Sequence, residues 1–248
     1  MRRAVFLIAA VAALVLPGSA AAACQPSAAR PYPVILVHGT FLNSAVSWNA
    51  LRPLLQADGL CAFSVDYGTN ATGPMAPSGQ QVAAFARQVL AQTGAAKVSF
   101  VGHSQGGSLS RYVARDLGLL ARTDDIVGLA PSNHGTTTPL GPVVTALGCA
   151  ACGDQAAGSP FMQALNQAPE APGPASYTVI STRYDEVVTP YQSQALTGDT
   201  VTNVVLQDRC PSDLTDHIAM PYDLTALQWV RNALERPGPA DPAFQPRC

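Results

Sequence analysis

The chain has 248 residues, of which 48% are apolar and only 12% charged, with 14 Lys and Arg against 16 Asp and Glu. A net charge of −2 with no basic run excludes the electrostatic footprint of a nucleic-acid binder, and so few charges leave a surface tolerant of apolar contact. The length is that of one domain able to bury a substantial core.

At the N-terminus, Arg2 and Arg3 precede an apolar run from Ala4 to about Leu16 and then small residues up to Ala23, the pattern of a secretory leader with an A-x-A cut. The run is shorter than the ~18 residues of a membrane span, and no later segment supplies one. An exported chain over 24–248 is therefore expected, carrying 12 basic against 16 acidic residues. Cys24 would stand at the new terminus, but a lipobox wants a bulky residue where Ala21 stands, so lipid attachment is not expected. Cys24, Cys61, Cys149, Cys152, Cys210 and Cys248 would enter an oxidising compartment in an even number, and three disulfides are expected. Cys149 and Cys152 have the spacing of a redox or zinc pair. With no second such pair and no clustered His, they read as a structural disulfide, and neither a metal nor any other cofactor is implied.

Strand-like runs follow at 33–37, 60–65, 97–101, 125–130, 177–181 and 201–206. Between them lie helical patterns at 47–57 (Trp48, Leu51, Leu54), 78–93 (Val82, Phe85, Leu90) and 105–118, with another at 221–234. The alternation predicts an α/β fold with a mainly parallel sheet and helices on both faces. From 131 to 176 the chain departs from it, which marks an insertion where binding surfaces and lids sit. A short helix is expected there at 159–166, whose Phe161, Met162 and Leu165 suit either a core or a lid. The tail RPGPADPAFQPRC is too proline-rich for a helix, so Cys248 is expected to tie it down.

The chemistry concentrates at GHSQG, Gly102–Gly106, which follows a predicted strand and opens a predicted helix. In that context the string reads as a nucleophile elbow, with Ser104 exposed at the carboxyl edge of the sheet above a helix N-terminus. The alternative is an N-cap serine in a glycine-rich turn. A serine hydroxyl needs a base. His217 follows the last strand and precedes the last helix, the place such a base takes in the order Ser, acid, His. His134 is the rival, as a residue able to line the pocket, while His38 and His103 read as structural.

The acid is sought between Ser104 and His217 at the carboxyl end of a strand. Asp185 meets this, with Glu186 beside it as a solvated carboxylate and Asp208 as a later rival. Asp124 and Asp125 stand at the start of their predicted strand and so at the opposite edge, and Asp216 adjoins His217, so these fail. Two backbone N–H groups must receive the oxyanion. Gln105 supplies one, and Thr40 or Phe41 in PVILVHGTFLN the other, with Thr40 preferred because its hydroxyl adds a third donor; a plain glycine turn is the alternative.

The strings PVILVHGT, VGHSQGG, LAPSNHGT, YDEVVTPY and LQDRCPSDLTDH, spread in order over nearly the whole chain after the leader, resemble the secreted actinobacterial class 2 lipases of the α/β-hydrolase superfamily. A more distant resemblance is to Candida antarctica lipase B. The resemblance implies an α/β-hydrolase fold, a triad of Ser104, Asp185 and His217, and an oxyanion hole of Thr40 and Gln105. It also implies disulfides Cys24–Cys61 and Cys210–Cys248, leaving Cys149 with Cys152. The expected substrate is an acyl ester, met in solution or at a lipid–water interface by a monomer. Lipase, short-chain esterase, polyester hydrolase and acyltransferase share these motifs, and a binding protein on the same scaffold would show a broken triad.

Overall fold

The computed structural model describes residues 24–139 and 141–248, so the leader read at 1–23 lies outside the described residues. Six strands, β1 (Val34–Val37), β2 (Ala62–Val65), β3 (Val98–His103), β4 (Thr123–Leu129), β5 (Ser176–Ser181) and β6 (Val201–Val205), form one sheet in the order β2-β1-β3-β4-β5-β6. Every neighbouring pair is parallel, and parallel pairs need long crossovers. Helices α1 (Leu51–Ala57), α2 (Met75–Thr93) and α3 (Gln105–Asp116) supply three of them. The insertion after β4 holds α4 (Gly141–Ala146), α5 (Ala150–Asp154) and α6 (Pro160–Leu165), and α7 (Leu224–Leu234) follows β6.

The strands read as continuous apolar runs because both faces of the sheet are covered. Alternation sends Ile35, Val37, Phe100, Tyr177 and Val179 into one core, with Val82 and Val89 of α2 and Leu109 and Val113 of α3. Val34, Leu36, Val101, Val127 and Ile180 enter the other, with Leu51 and Leu55 of α1 and Trp229 and Val230 of α7. Each such side chain contributes on the order of 1.5–3 kcal/mol when fully buried. Met162 and Leu165 of α6 are buried in the first core, with Phe161 packed against it, which assigns that helix to the core rather than to a lid.

Several boundaries differ from the sequence reading for local reasons. The pattern at 47–57 divides into a single turn, Ser44–Ser47, capped by Asn43, and α1. Helix α7 starts at Leu224 because the Asp223 carboxylate caps it by accepting from the Ala226 N–H. Strand β4 begins at Thr123, two residues before the predicted start, so Asp124 as well as Asp125 lies inside it. Both still sit at its amino end. A turn at Gly68–Ala71, whose four residues all have positive φ, and a single-turn helix at Leu206–Arg209 carry no periodic signal and were not expected.

Strand β1 lies between β2 and β3, so the connections leaving β1 and β3 diverge to opposite sides. A crevice opens at the carboxyl ends of strands where such a reversal occurs. Cys24–Cys61, Cys149–Cys152 and Cys210–Cys248 are bonded, and the first of these leaves no Cys24 thiol for a lipid thioether. No helix among the described residues is long and apolar enough to cross a membrane.

Candidate active site

Ser104 stands between β3 and α3, at the crevice, with φ 55° and ψ −124°. A non-glycine residue held there costs on the order of 1–3 kcal/mol, which the surroundings must offset. Its N–H donates to the Leu129 carbonyl at 2.9 Å, and its carbonyl accepts from Gly107 N–H at 3.0 Å and Ser132 N–H at 3.3 Å. The flanking glycines are a steric requirement. A Cβ on Gly102 would overlap the Gly106 carbonyl, and one on Gly106 would overlap the Val37 carbonyl oxygen.

Three loops meet at this serine. His217, from the loop after β6, has Nε2 3.0 Å from Ser104 Oγ, and its Nδ1 lies 2.8 Å from Asp185 Oδ2, in the loop after β5. With Nδ1–H donating to the carboxylate, Nε2 presents a lone pair to the Ser104 hydroxyl. Asp185 Oδ1 accepts from the Val187 and Val188 N–H groups at 3.0 and 2.7 Å, and Oδ2 also accepts from Gln194 Nε2 at 2.7 Å. The carboxylate's rotation is thereby fixed. A bridge between Tyr184 and Asp216 joins the two loops, and buried Gln207 spans them, donating to Thr182 Oγ1 and the Asp213 carbonyl and accepting from the Arg183 N–H.

The other candidates fall elsewhere. His134 puts Nδ1 2.7 Å from the Ser193 carbonyl and Nε2 3.1 Å from Glu170 Oε1, so it ties loops together away from Ser104. His38 is buried and stacked on Tyr67 at 4.5 Å, and burial lowers its pKa. His103 is more than a bystander. Its Nε2–H donates to the His217 carbonyl at 3.0 Å, and burial, with the nearby His217, pushes its pKa down to about 3. It is therefore a neutral donor that holds the His217 backbone. Glu186 is exposed, with the His217 N–H 3.4 Å from its carboxylate, while Asp208 pairs with Arg183 on the surface and Asp216 accepts from the Ala219 N–H.

Thr40 and Gln105 flank the crevice from β1 and α3. Among the described residues neither backbone N–H donates to a protein acceptor, as expected of groups reserved for a ligand. Phe41 N–H donates to the Asn70 carbonyl at 2.8 Å, which removes it as the second donor. The Thr40 hydroxyl is engaged as well, donating to Gln105 Oε1 at 2.6 Å rather than standing free. Gln155, in the insertion, completes the cluster, with Nε2 3.0 Å from Thr40 Oγ1 and 3.2 Å from Gln105 Oε1. Sequence reasoning missed Gln155, Gln194 and Gln207. No motif or spacing marks a lone glutamine in a loop, and only the contacts reveal it.

The sequence model of the family described as lipase (class 2) matches residues 31–230. The chain belongs to the class 2 lipase family. The chain is 43% identical over 124 residues to a triacylglycerol lipase of Burkholderia plantarii, covering 45% of this chain and 33% of that protein. To one of Pseudarthrobacter phenanthrenivorans it is 44% identical over 99 residues, covering 35% of this chain and 29% of that protein. The matches span about a third of the length of those relatives. Among solved structures, Aspergillus fumigatus lipase B superposes with a TM-score of 0.75 at 21% identity over 86% of this chain and 54% of that one. The mature form of Bacillus licheniformis lipase BlEst2 gives 0.61 at 18% identity over 79% and 89%. The fold of the chain is thus the α/β-hydrolase fold.

Proposed function

We propose that this chain is an exported carboxylic ester hydrolase acting on acylglycerols through an acyl-enzyme on Ser104. The observation that carries the reading is the line from Ser104 Oγ through His217 to Asp185, at 3.0 and 2.8 Å, beside two backbone N–H groups with no protein acceptor among the described residues. Ser104 Oγ attacks the acyl carbonyl carbon and passes its proton to His217 Nε2, while the carbonyl electron pair moves onto oxygen and is held by the Thr40 and Gln105 N–H groups. Collapse restores the carbonyl and expels the alcohol, which leaves with the proton from His217. Water repeats the sequence on the acyl-enzyme, and the acid departs as Ser104 regains its proton. Asp185 holds the imidazole tautomer and stabilises the imidazolium.

An apolar substrate is supported by where the apolar surface lies. Phe41 and Ile218, both large, apolar and exposed, are each next in sequence to a residue of the site, Thr40 and His217, and so put apolar surface at its mouth. The names of the curated relatives point to triacylglycerol as the ester. Export is supported by the leader pattern and three disulfides, and all the groups invoked come from one chain. The test is hydrolysis of p-nitrophenyl esters from C2 to C16 and of emulsified triolein by the 24–248 chain and its Ser104→Ala variant. Long-chain and emulsion activity lost in the variant supports the reading. Activity confined to short soluble esters makes the protein an esterase, and activity surviving Ser104→Ala overturns the nucleophile assignment.

A further inference from the structure

Gln155 directly follows α5 in the insertion, outside every recognised motif, yet its buried amide reaches both sides of the oxyanion loop pair. Its Nε2 donates to the Ala151 carbonyl, which can only accept, and this sets which end of the amide faces Thr40, leaving Oε1 2.9 Å from Ser132 Oγ. Its NH2 group then has two hydrogens for three acceptors: the Ala151 carbonyl at 3.2 Å, Thr40 Oγ1 at 3.0 Å and Gln105 Oε1 at 3.2 Å. One hydrogen is fixed on Ala151. The other is shared between Thr40 and Gln105.

That sharing bears on a problem at Thr40. In the resting arrangement its hydroxyl donates to Gln105 Oε1 at 2.6 Å and so is turned away from an oxyanion. If the hydroxyl rotates onto the developing charge, Gln105 Oε1, on a fully buried residue, loses that donor. Leaving a buried acceptor unpaired opposes the rotation. Gln155 removes the obstacle, because its shared hydrogen is already within reach of Gln105 Oε1 and moves onto it fully when Thr40 turns away. The gain is realised only when negative charge develops, so it lowers the barrier rather than tightening substrate binding.

We propose that Gln155 is a positioning residue for the oxyanion hole, exchanging its shared hydrogen between Thr40 Oγ1 and Gln105 Oε1 so that the Thr40 hydroxyl serves as a third oxyanion donor. The proposal rests on the reading of Ser104 as nucleophile, and the test separates the two. Steady-state kinetics on a soluble ester, p-nitrophenyl butyrate, are measured for Gln155→Leu and Gln155→Glu in the wild-type, Thr40→Ser and Thr40→Val backgrounds, with a thermal melt of each.

Thr40→Val is expected to lower kcat by roughly 10²-fold at nearly unchanged KM, and Gln155→Leu by about tenfold. Gln155→Glu is expected to be worse than Gln155→Leu, because a carboxylate has no N–H to give and draws the Thr40 proton to itself. The loss from Gln155→Leu should persist in Thr40→Ser, which keeps the hydroxyl, and shrink to within about twofold in Thr40→Val. An equal loss in the Thr40→Val background, or a raised KM at constant kcat, would make Gln155 a pocket wall or a packing residue and overturn the proposal. Full kcat in Thr40→Val alone would also overturn it, with no Gln155 variant required. None of these outcomes touches the nucleophile assignment, which stands or falls with Ser104→Ala.

Discussion

Gln194 Nε2 and His217 Nδ1 both donate to Asp185 Oδ2, at 2.7 and 2.8 Å. Gln194 is fully buried, and its backbone carbonyl accepts from Asn133 Nδ2 at 2.6 Å, so the loop after β4 braces the loop that carries the acid. Gln194→Leu removes one of the donors that aim Asp185 at the imidazole. Its kcat on a soluble ester should fall roughly tenfold at constant KM, since small misplacements of reacting groups are costly. An unchanged kcat would mean that the Val187 and Val188 N–H groups suffice to orient the acid.

Asp125 lies at the opposite edge of the sheet, buried between Ser99 and Ser176, whose hydroxyls donate to it. Burial outweighs those hydrogen bonds and raises its pKa from 3.8 to about 7. Between those values the folded chain holds a proton that the unfolded chain has released, so this group's contribution makes stability fall as pH rises. The full penalty, on the order of a few kcal/mol, is reached above about pH 7. Asp125→Asn should flatten that slope and raise the urea midpoint at pH 8 relative to the parent, with little difference at pH 4. Parallel pH profiles for the two proteins would show that Asp125 ionises in the folded chain as freely as in the unfolded one.

The disulfides should differ in weight. Cys210–Cys248 spans 38 residues and Cys149–Cys152 only 3, and in the loop-entropy model closures of these lengths differ by about 2 kcal/mol. Replacing Cys210 and Cys248 by Ala should therefore lower the urea midpoint more than replacing Cys149 and Cys152. Neither pair should alter kcat in protein that remains folded. A loss of rate from the short pair in folded protein would assign it a part in holding Gln155, three residues beyond Cys152.

Phe41 and Ile218 are 58% and 55% exposed, each next in sequence to a residue of the proposed machinery, Thr40 and His217. Phe41→Ser and Ile218→Ser should reduce activity on emulsified triolein several-fold while leaving soluble-ester kcat within about twofold, because only the emulsion offers a surface for their apolar area. Equal losses on both substrates would place these side chains in the ester pocket instead.

Much of this arrangement was legible before any coordinates. Strands covered on both faces must be apolar throughout, and helices covered on one face must be apolar at every third or fourth position, so the alternation of the two patterns carried the layer order. The serine was legible because a tight turn between a strand and a helix admits only glycine at Gly102 and Gly106, a local demand that leaves a local string. What failed locally was boundary detail, such as the start of β4 at Thr123, where the edge of a parallel strand is decided by its neighbours rather than by its own residues. The insertion was legible as a length, a short disulfide and one short helix, but not in how these pack. Whether Met162 and Leu165 faced a core or a cleft depended on which surface α6 met.

By itself, then, the sequence determined the alternating layers, the elbow, and the order in which a serine, an acid and a histidine follow strands. Each of these is written in residues close together in the chain. Only the tertiary structure decided that Ser104, Asp185 and His217 stand within hydrogen-bond distance, that Phe41 N–H is taken by Asn70 while Thr40 N–H has no protein acceptor among the described residues, and that three glutamines support the site. Those contacts join residues from the loops after β1, β3, β4, β5 and β6, and their distances are set by how the sheet twists and the loops pack. An amide side chain serves equally well in any loop, so nothing in the residue itself announces which partner the fold will bring to it.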